Sequence, residues 1–495
     1  MIDNFFAGSV ALFGDPFTIG IFVFGVIGGM LFGAIPGVSM LTLAAILLPF
    51  TANLEPAQGV MLFAVIYCTG TYGGAITAIL FNIPGAPENA PTAFDGYPMT
   101  RKGQSGKAVG AAVLCSAIGG VTSAIVMMAA TEPLANWAIS NIGPPEIFAL
   151  VFFGLAVASS VGGRTLWKGW MSVLLGLLIA TIGQDPVGGI NRYNFGFSDL
   201  AAGIAFVPAI LGFFAVSEIF VQAEKKAIGM YEAPKLSLDF PTLLELWTHK
   251  IAVVRSILVG FFCGILPGIG ATLAAFMGYG EAVRWSKNKE SFGKGNLEGV
   301  ISSETANNAA TGAAMIPLLA LGLPGGALTA MMVAVFQMHD LEPGPLVFYN
   351  SPDLIWIVFA AMFYANLSIL FIGLLETKTI LYLLKIPFQF LAPMILLLAS
   401  IGSYIGRGLV LDVMVMFVAG IMGFLLRRSG YSIPGIVLGI ILGKIGEQNF
   451  AQGMQMVHYD LLEYLSRPIC LLLIVAGSLT LLAGIYKALS FSFKS

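Results

Sequence analysis

Two Pro-Gly pairs interrupt apolar stretches of this chain, at residues 33–40 (GAIPGVSM) and again at 264–271 (GILPGIGA). Pro lacks an amide donor and Gly adds backbone freedom, so few pairs are worse suited to carry a helix through hydrocarbon. Broken backbone is tolerated at membrane depth only where it is buried in protein or lines a water-filled cavity. Any fold for this sequence must therefore enclose both breaks.

That these stretches belong in a membrane follows from composition. The 495 residues are 57% hydrophobic and 10% charged, with a mean hydropathy of +0.89; soluble globular chains are about a quarter charged. The apolar runs are long and separated by short polar turns, which predicts helices, whereas a β-barrel would show alternating strands of about 10 residues. A net charge of −2 without a basic stripe excludes a nucleic-acid partner. Cys68, Cys115, Cys263 and Cys470 lie in apolar segments without C-x-x-C spacing and read as buried free thiols. His249, His339 and His458 are too scattered to build a metal site. Residues 1–16 contain no Lys or Arg, so they lack the basic start of a cleaved signal peptide, and the first apolar segment is expected to stay.

Apolar segments fall at about 17–35, 38–50, 57–84, 106–130, 145–162, 166–183 and 200–220. After a polar connection at 221–250 they resume at 251–266, 269–280, 309–336, 353–376, 388–405, 409–426, 434–449 and 468–489. Those flanking Pro36-Gly37 and Pro267-Gly268 are short for a span of about 20 residues, and read as re-entrant hairpins or as two crossings each. With the N-terminus outside, either choice puts Arg101, Lys102, Lys107, Arg164, Lys168, Lys225, Lys226, Lys235 and Lys250 inside. Arg284, Lys287, Lys289, Lys294, Lys378, Lys385, Arg427 and Arg428 fall inside as well. Connections 51–56, 131–144 and 337–352, predicted outside, contain no Lys or Arg; Arg192, Arg407 and Arg467 are the exceptions, with Lys444 unassigned.

The breaks recur as a repeat. Pro36-Gly37 pairs with Pro267-Gly268 at an offset of 231, Pro84-Gly85 with Pro324-Gly325 at 240, and Gly163-Arg164 with Gly406-Arg407 at 243. Each copy holds an odd number of crossings, so the two insert with opposite topology. The expected fold is an all-α polytopic membrane protein of about 11–12 crossings. It comprises two inverted-topology repeats with re-entrant hairpins and discontinuous helices (1–220 and 251–449), a cytoplasmic connection (221–250) and an extra C-terminal helix (450–495). Inverted repeats with paired helix breaks are the signature of a secondary transporter, in which half-helix N-termini face an anion and unwound carbonyls face a cation.

The motifs GAIPGVSM, YGGAITAILFNIPGAPENAPTAFDGYPM (72–99), GILPGIGATLAAF (264–276) and EGVISSETANNAATGAAMIPLLALGLPGG (298–326) resemble the large membrane subunit of the tripartite tricarboxylate transporters, and the similarity runs over essentially the whole chain. Two departures stand out. Residues 302–304 read SSE where a Pro or Ala is expected before the Glu, and Ser39 stands where the second repeat has Gly270. The C-terminus is predicted cytoplasmic, and the resemblance implies a permease of the bacterial inner membrane, working with a small membrane subunit and a periplasmic solute-binding protein. It implies import of citrate or related carboxylates driven by an ion gradient, by an elevator-type displacement.

For such a substrate the apolar segments offer almost no cation, so backbone amides and neutral side chains are expected to hold the anion. The candidates are Gly37, Ser39, Thr42, Asn82 and Gly85 in the first repeat. In the second they are Gly268, Gly270, Thr272, Asn307, Asn308, Thr311 and Gly325. Pro36, Thr77, Pro267, Glu304 and Pro324 are candidates for ion coupling, with Na⁺ favoured over protons because unwound backbone and neutral oxygens suit it. Each Ser or Thr has an ordinary alternative in a bond to its own helix carbonyl. Glu304 has one as a cytoplasmic-side helix cap, and Asp95, in FDGYPM, reads as a turn residue. Residues 284–295 read as a solvated inside loop. A channel would not need an inverted repeat, a membrane scaffold would not need broken helices, and an intramembrane enzyme would need a catalytic motif such as H-E-x-x-H, which the chain lacks.

Overall fold

The computed structural model describes residues 1–35, 39–161, 166–185, 188–224, 240–266, 270–383 and 388–492. Pro36, Gly37, Pro267 and Gly268 lie outside the described residues, as do Arg164, Lys225, Lys226, Lys235 and Lys385. The first half runs α1 (Ile2–Gly14), α2 (Pro16–Ala34), α3 (Met40–Leu47), α4 (Pro56–Phe81), α5 (Ala90–Arg101), α6 (Ser105–Asn141), α7 (Pro144–Val161), α8 (Leu166–Ala180), α9 (Phe206–Ile210) and α10 (Ser217–Glu224). The connection carries α11 (Leu243–Thr248). The second half runs α12 (Lys250–Ile265), α13 (Gly270–Trp285), α14 (Leu297–Leu321), α15 (Ala327–Met338), α16 (Val347–Asn350), α17 (Pro352–Leu383), α18 (Phe388–Arg407), α19 (Val410–Arg428) and α20 (Ile433–Met456), followed by α21 (Leu461–Ser466) and α22 (Pro468–Ser492). Among the described residues the sheet content is one antiparallel rung, Gly183–Gln184 on Asn191–Arg192. Six helices are long and apolar enough to cross a membrane, and several shorter apolar helices join them. The protein is an all-α polytopic membrane protein.

Local chemistry sets the helix ends. Asp15 accepts the Thr18 amide at 2.8 Å and Pro16 opens α2, which satisfies a free N–H and removes another. Asn296 caps α14 by accepting the Glu298 amide at 2.9 Å. The two long helices α4 and α14 stop in the same way. Asn82 (φ 59°) and Gly322 (φ 74°) take the left-handed conformation, their amides bonding back to Ala78 and Leu318. The next amides, of Ile83 and Leu323, return to the Thr77 and Pro317 carbonyls at 3.3 and 3.0 Å. This double bond to the last turn stops each helix while satisfying its carbonyls. Every member of the first motif has its counterpart 240 residues later.

Small residues then set the packing. Gly25, Gly29 and Gly33 of α2 lie in turn against Leu62, Ile66 and Gly70 of α4, so the two helices run parallel. Gly260 and Gly264 of α12 lie in turn against Ala306 and Ala310 of α14, so these run parallel too. Glycine every fourth residue lets backbones approach closely, which is how helices associate without a hydrophobic driving force between them. Parallel packing of α2 with α4 requires the chain to return between them, which α3 does; α13 does the same between α12 and α14. Gly59 and Tyr67 of α4 face Val335 and Gly326 of α15, so these helices run in opposite directions.

Three segment limits differ from those expected. The stretch 309–336 is not one apolar segment but the end of α14, a left-handed stop and α15; α14 begins at Leu297, so its polar first half is inside the helix. Hydropathy placed the start late because those polar side chains pair inside the protein. The helix α6 continues through Pro133 to Asn141, beyond the 130 expected. Residues 2–14, ahead of the first apolar segment, form a helix that packs Phe5 on Phe363.

Candidate functional site

Beyond its left-handed stop, each long helix is followed by a loop that folds back along it. In the first half the Gly85 amide reaches the Gly74 carbonyl at 3.4 Å; in the second, Gly325 lies against Ala314. The first fold-back loop carries Glu88 and Asn89 into the protein at 5% and 0% exposure. There they meet α14. Asn307 Nδ2 donates to the Glu88 carbonyl at 3.3 Å, and Thr272 Oγ1 of α13 donates to Glu88 Oε2 at 3.2 Å.

One turn deeper, Glu304 of α14 is fully buried. Ser116 of α6 donates to its Oε2 at 2.9 Å, and Thr92 of α5 donates to its Oε1. Thr92 and Ser303 hydroxyls lie 3.0 Å apart, and the Asn89 and Asn307 amides flank the same carboxylate. Asn308 Nδ2 donates to Asn307 Oδ1 at 2.8 Å, and Thr311 donates to the Asn308 carbonyl at 2.8 Å. The result is one polar cluster within the helix core, built by α5, α6, α13, α14 and the first fold-back loop. Among the described residues no ion pair involves Glu88 or Glu304. Burying a carboxylate without a countercharge is costly and marks a functional position in a membrane protein.

The expected residues divide. Thr272, Glu304, Asn307 and Asn308 converge in the cluster, whereas Thr311 bonds its own helix at the Asn308 carbonyl and faces Cys68 of α4 at 3.8 Å. Gly270 (φ 60°) lies beside Gly325 and Gly326, so the start of α13 meets the second fold-back loop, where Pro324 is buried. Gly85 likewise meets Gly33, near the end of α2. Among the described residues, no hydrogen bond joins Ser39, Thr42, Thr77 or Asn82 to the cluster. Ser39 precedes α3 without a side-chain cap, and Thr42 is buried within that helix. Thr77 bonds its own helix at the Gly74 carbonyl, 3.4 Å away, and Asn82 is exposed at the left-handed stop.

Glu304 is no helix cap: Asn296 fills that place and Glu304 sits two turns further in. Asp95 is no turn residue either. It lies in α5, fully buried, where its carboxylate accepts the Gly295 and Asn296 amides at 2.8 Å each and the Tyr279 hydroxyl at 2.9 Å. Partners 184 to 201 residues away have replaced the local amides that an Asp-Gly turn would use. Glu88, Asn89, Thr92 and Ser116 belong to the site without having been singled out. For the first three the signal was present, a PEN triplet and a Thr inside an otherwise apolar motif; for Ser116 there was none. The four cysteines are free and buried. The three arginines expected outside each hold a carboxylate: Arg192 pairs with Glu447 (3.0 Å), Arg407 with Asp412 (2.9 Å) and Arg467 with Glu146 (3.0 Å).

A helical membrane protein whose two long helices stop at matched left-handed residues, with a buried polar cluster joining the two halves of the chain, fits a transporter. The profile of the tripartite tricarboxylate transporter TctA family matches residues 19–438, and the chain belongs to that family. It is thus a tricarboxylate transporter subunit, the large one of a three-part system, and has partner subunits. An Agrobacterium vitis protein described as "Uncharacterized 52.8 kDa protein in TAR-I ttuC' 3'region" is 36% identical over 460 residues, 92% of this chain and 90% of its own. Another from the same organism, "Uncharacterized protein in TAR-II ttuC' 3'region", is 36% identical over 218 residues, 44% of this chain and 90% of its own. No solved structure matches.

Proposed function

We propose that this chain imports a citrate-like tricarboxylate or a related carboxylate across the bacterial inner membrane by Na⁺ symport. A solute-binding protein delivers the substrate from outside, where the N-terminus lies, and the small membrane subunit stands beside the permease. The two break-containing units move together against the remaining helices, an alternating access of elevator type. The observation that carries this reading is the contact between halves at the cluster, where Glu88 of the first fold-back loop meets Thr272 and Asn307 of the second half. A site divided between two copies of one motif can open to either side by moving its walls relative to the rest. Complete burial of Glu304, Asn307, Asn308 and Thr311 supports an occluded conformation.

The test is uptake of labelled citrate into proteoliposomes holding this chain and its small partner, with the binding protein outside. Uptake requiring both the binding protein and an inward Na⁺ gradient is expected. Uptake that follows a proton gradient without Na⁺ would make the system a proton symporter, with Glu304 the carboxyl group to carry the proton. A current without saturable uptake would make it a channel.

A further inference from the structure

The buried polar groups of the cluster are unbalanced in sign. Asn308 Oδ1 is buried in the cluster with no donor, while Asn89 Oδ1 and Asn366 Oδ1, also without one, lie against Gly74 of α4 and Gly120 of α6. The donor groups of the same amides are used, Asn89 Nδ2 on the Thr71 carbonyl (2.8 Å) and Asn366 Nδ2 on the Met362 carbonyl (2.8 Å). Buried oxygens are normally paired, and an unpaired one demands a ligand. To the surplus Asn308 oxygen the cluster adds the carboxylates of Glu88 and Glu304 and the hydroxyls of Thr92, Ser116 and Ser303, with neither Lys nor Arg among its contacts. Asn89 ties the two sets together, since its side chain stands beside Glu304 while its neighbour Glu88 holds Thr272.

We propose that the Glu88 and Glu304 carboxylates, with the Asn308 amide oxygen, line a site for Na⁺, and that this site must fill before the substrate anion binds. The argument rests on the reading of the chain as a carboxylate symporter. Two buried carboxylates repel a polycarboxylate brought beside them, and at low effective dielectric that repulsion is strong. A hard monovalent cation removes the repulsion and gives the unpaired Asn308 oxygen the partner it lacks. Cation binding would then be independent of substrate, while substrate binding would depend on the cation, so the order of loading is fixed by charge.

The experiment measures ²²Na⁺ binding to the purified complex of this chain with its small subunit in detergent, without substrate, against a choline background. Saturable binding is expected, with Glu304→Gln and Glu88→Gln each weakening it at least tenfold. Thr272→Val, which removes one hydroxyl and no carboxylate, should weaken it less and serves as the variant least prone to misfold. Labelled citrate should bind only when Na⁺ is present. Wild-type Na⁺ affinity in properly assembled Glu304→Gln and Glu88→Gln would overturn the site, as would binding of citrate to the Na⁺-free protein. The broader reading fails differently: Na⁺ binding at this site with uptake indifferent to a Na⁺ gradient would leave the site standing and remove the symport.

Discussion

Thr272 Oγ1 donates a hydrogen bond to Glu88 Oε2 across 3.2 Å, joining the second-half helix α13 to the first-half fold-back loop over 184 residues of sequence.

Thr272→Val should therefore weaken transport rather than folding. A bond as long as this one contributes about 0.5–1 kcal/mol net, which corresponds to about two- to fivefold in the half-saturating cation concentration of uptake, less than the loss expected for the Glu→Gln changes. Measured in proteoliposomes, that shift should come with an unfolding temperature close to the wild type. An equal loss with Thr272→Ser, which keeps the hydroxyl, would show that the bond is not what matters.

At Asn82 the structure separates a backbone duty from a side-chain one. The residue is exposed and left-handed at φ 59°, and its counterpart 240 residues on is Gly322. Asn82→Gly should leave citrate uptake within about twofold, since Gly takes this conformation freely. Asn82→Val should destabilise the protein by about 1–2 kcal/mol, because a β-branched residue is strained there. Thermal unfolding of both variants checks the pair, and a large loss of uptake in Asn82→Gly would return the side chain to the substrate site.

Gly85 has no room for a side chain. A Cβ there would collide with the Gly33 carbonyl oxygen and lie 2.8 Å from the Gly74 backbone, neither of which can swing away. Gly85→Ala should cost at least the 1–3 kcal/mol typical of overpacking, about enough to lower the unfolding temperature visibly. Gly20→Ala, whose Cβ would meet nothing within 4 Å, is the control and should be silent.

Outside the apolar helices, α11 is tied to α6 by the Glu245 Oε1 contact with Lys107 Nζ at 2.8 Å. The Lys107 ammonium, then the Thr242 amide, hold the Glu245 carboxyl down at about 2 from an ordinary 4.5. A depressed value stabilises the folded form above the ordinary pKa and loses that contribution as pH falls from 4.5 toward 2. Lys107→Met should flatten the acid dependence of unfolding in that window by lowering stability slightly above pH 4.5 and leaving it unchanged near pH 2, the loss being small because the pair is exposed. Unfolding scans between pH 2 and 6 on both proteins check it.

The membrane class and the helix ends just before the two Pro-Gly pairs were legible in the sequence, because hydropathy and helix stopping are local. Apolar length states where a helix can lie, and a left-handed Asn or Gly states where it ends. The start of α14 was not legible, because its first turns carry Ser303, Glu304, Asn307 and Asn308, and polarity alone cannot distinguish a loop from a helix whose polar side chains pair inside the protein. Asp95 was misread for the same reason, its partners being the distant Gly295, Asn296 and Tyr279. The sequence by itself thus determined an all-helical membrane protein broken twice at matching places. Only the tertiary structure decided that Glu88, Thr92, Ser116 and Thr272 meet Asn307 and Glu304. Those meetings depend on which helices pack together, and glycine and alanine rows that let backbones approach select that packing across 184 to 219 residues of chain.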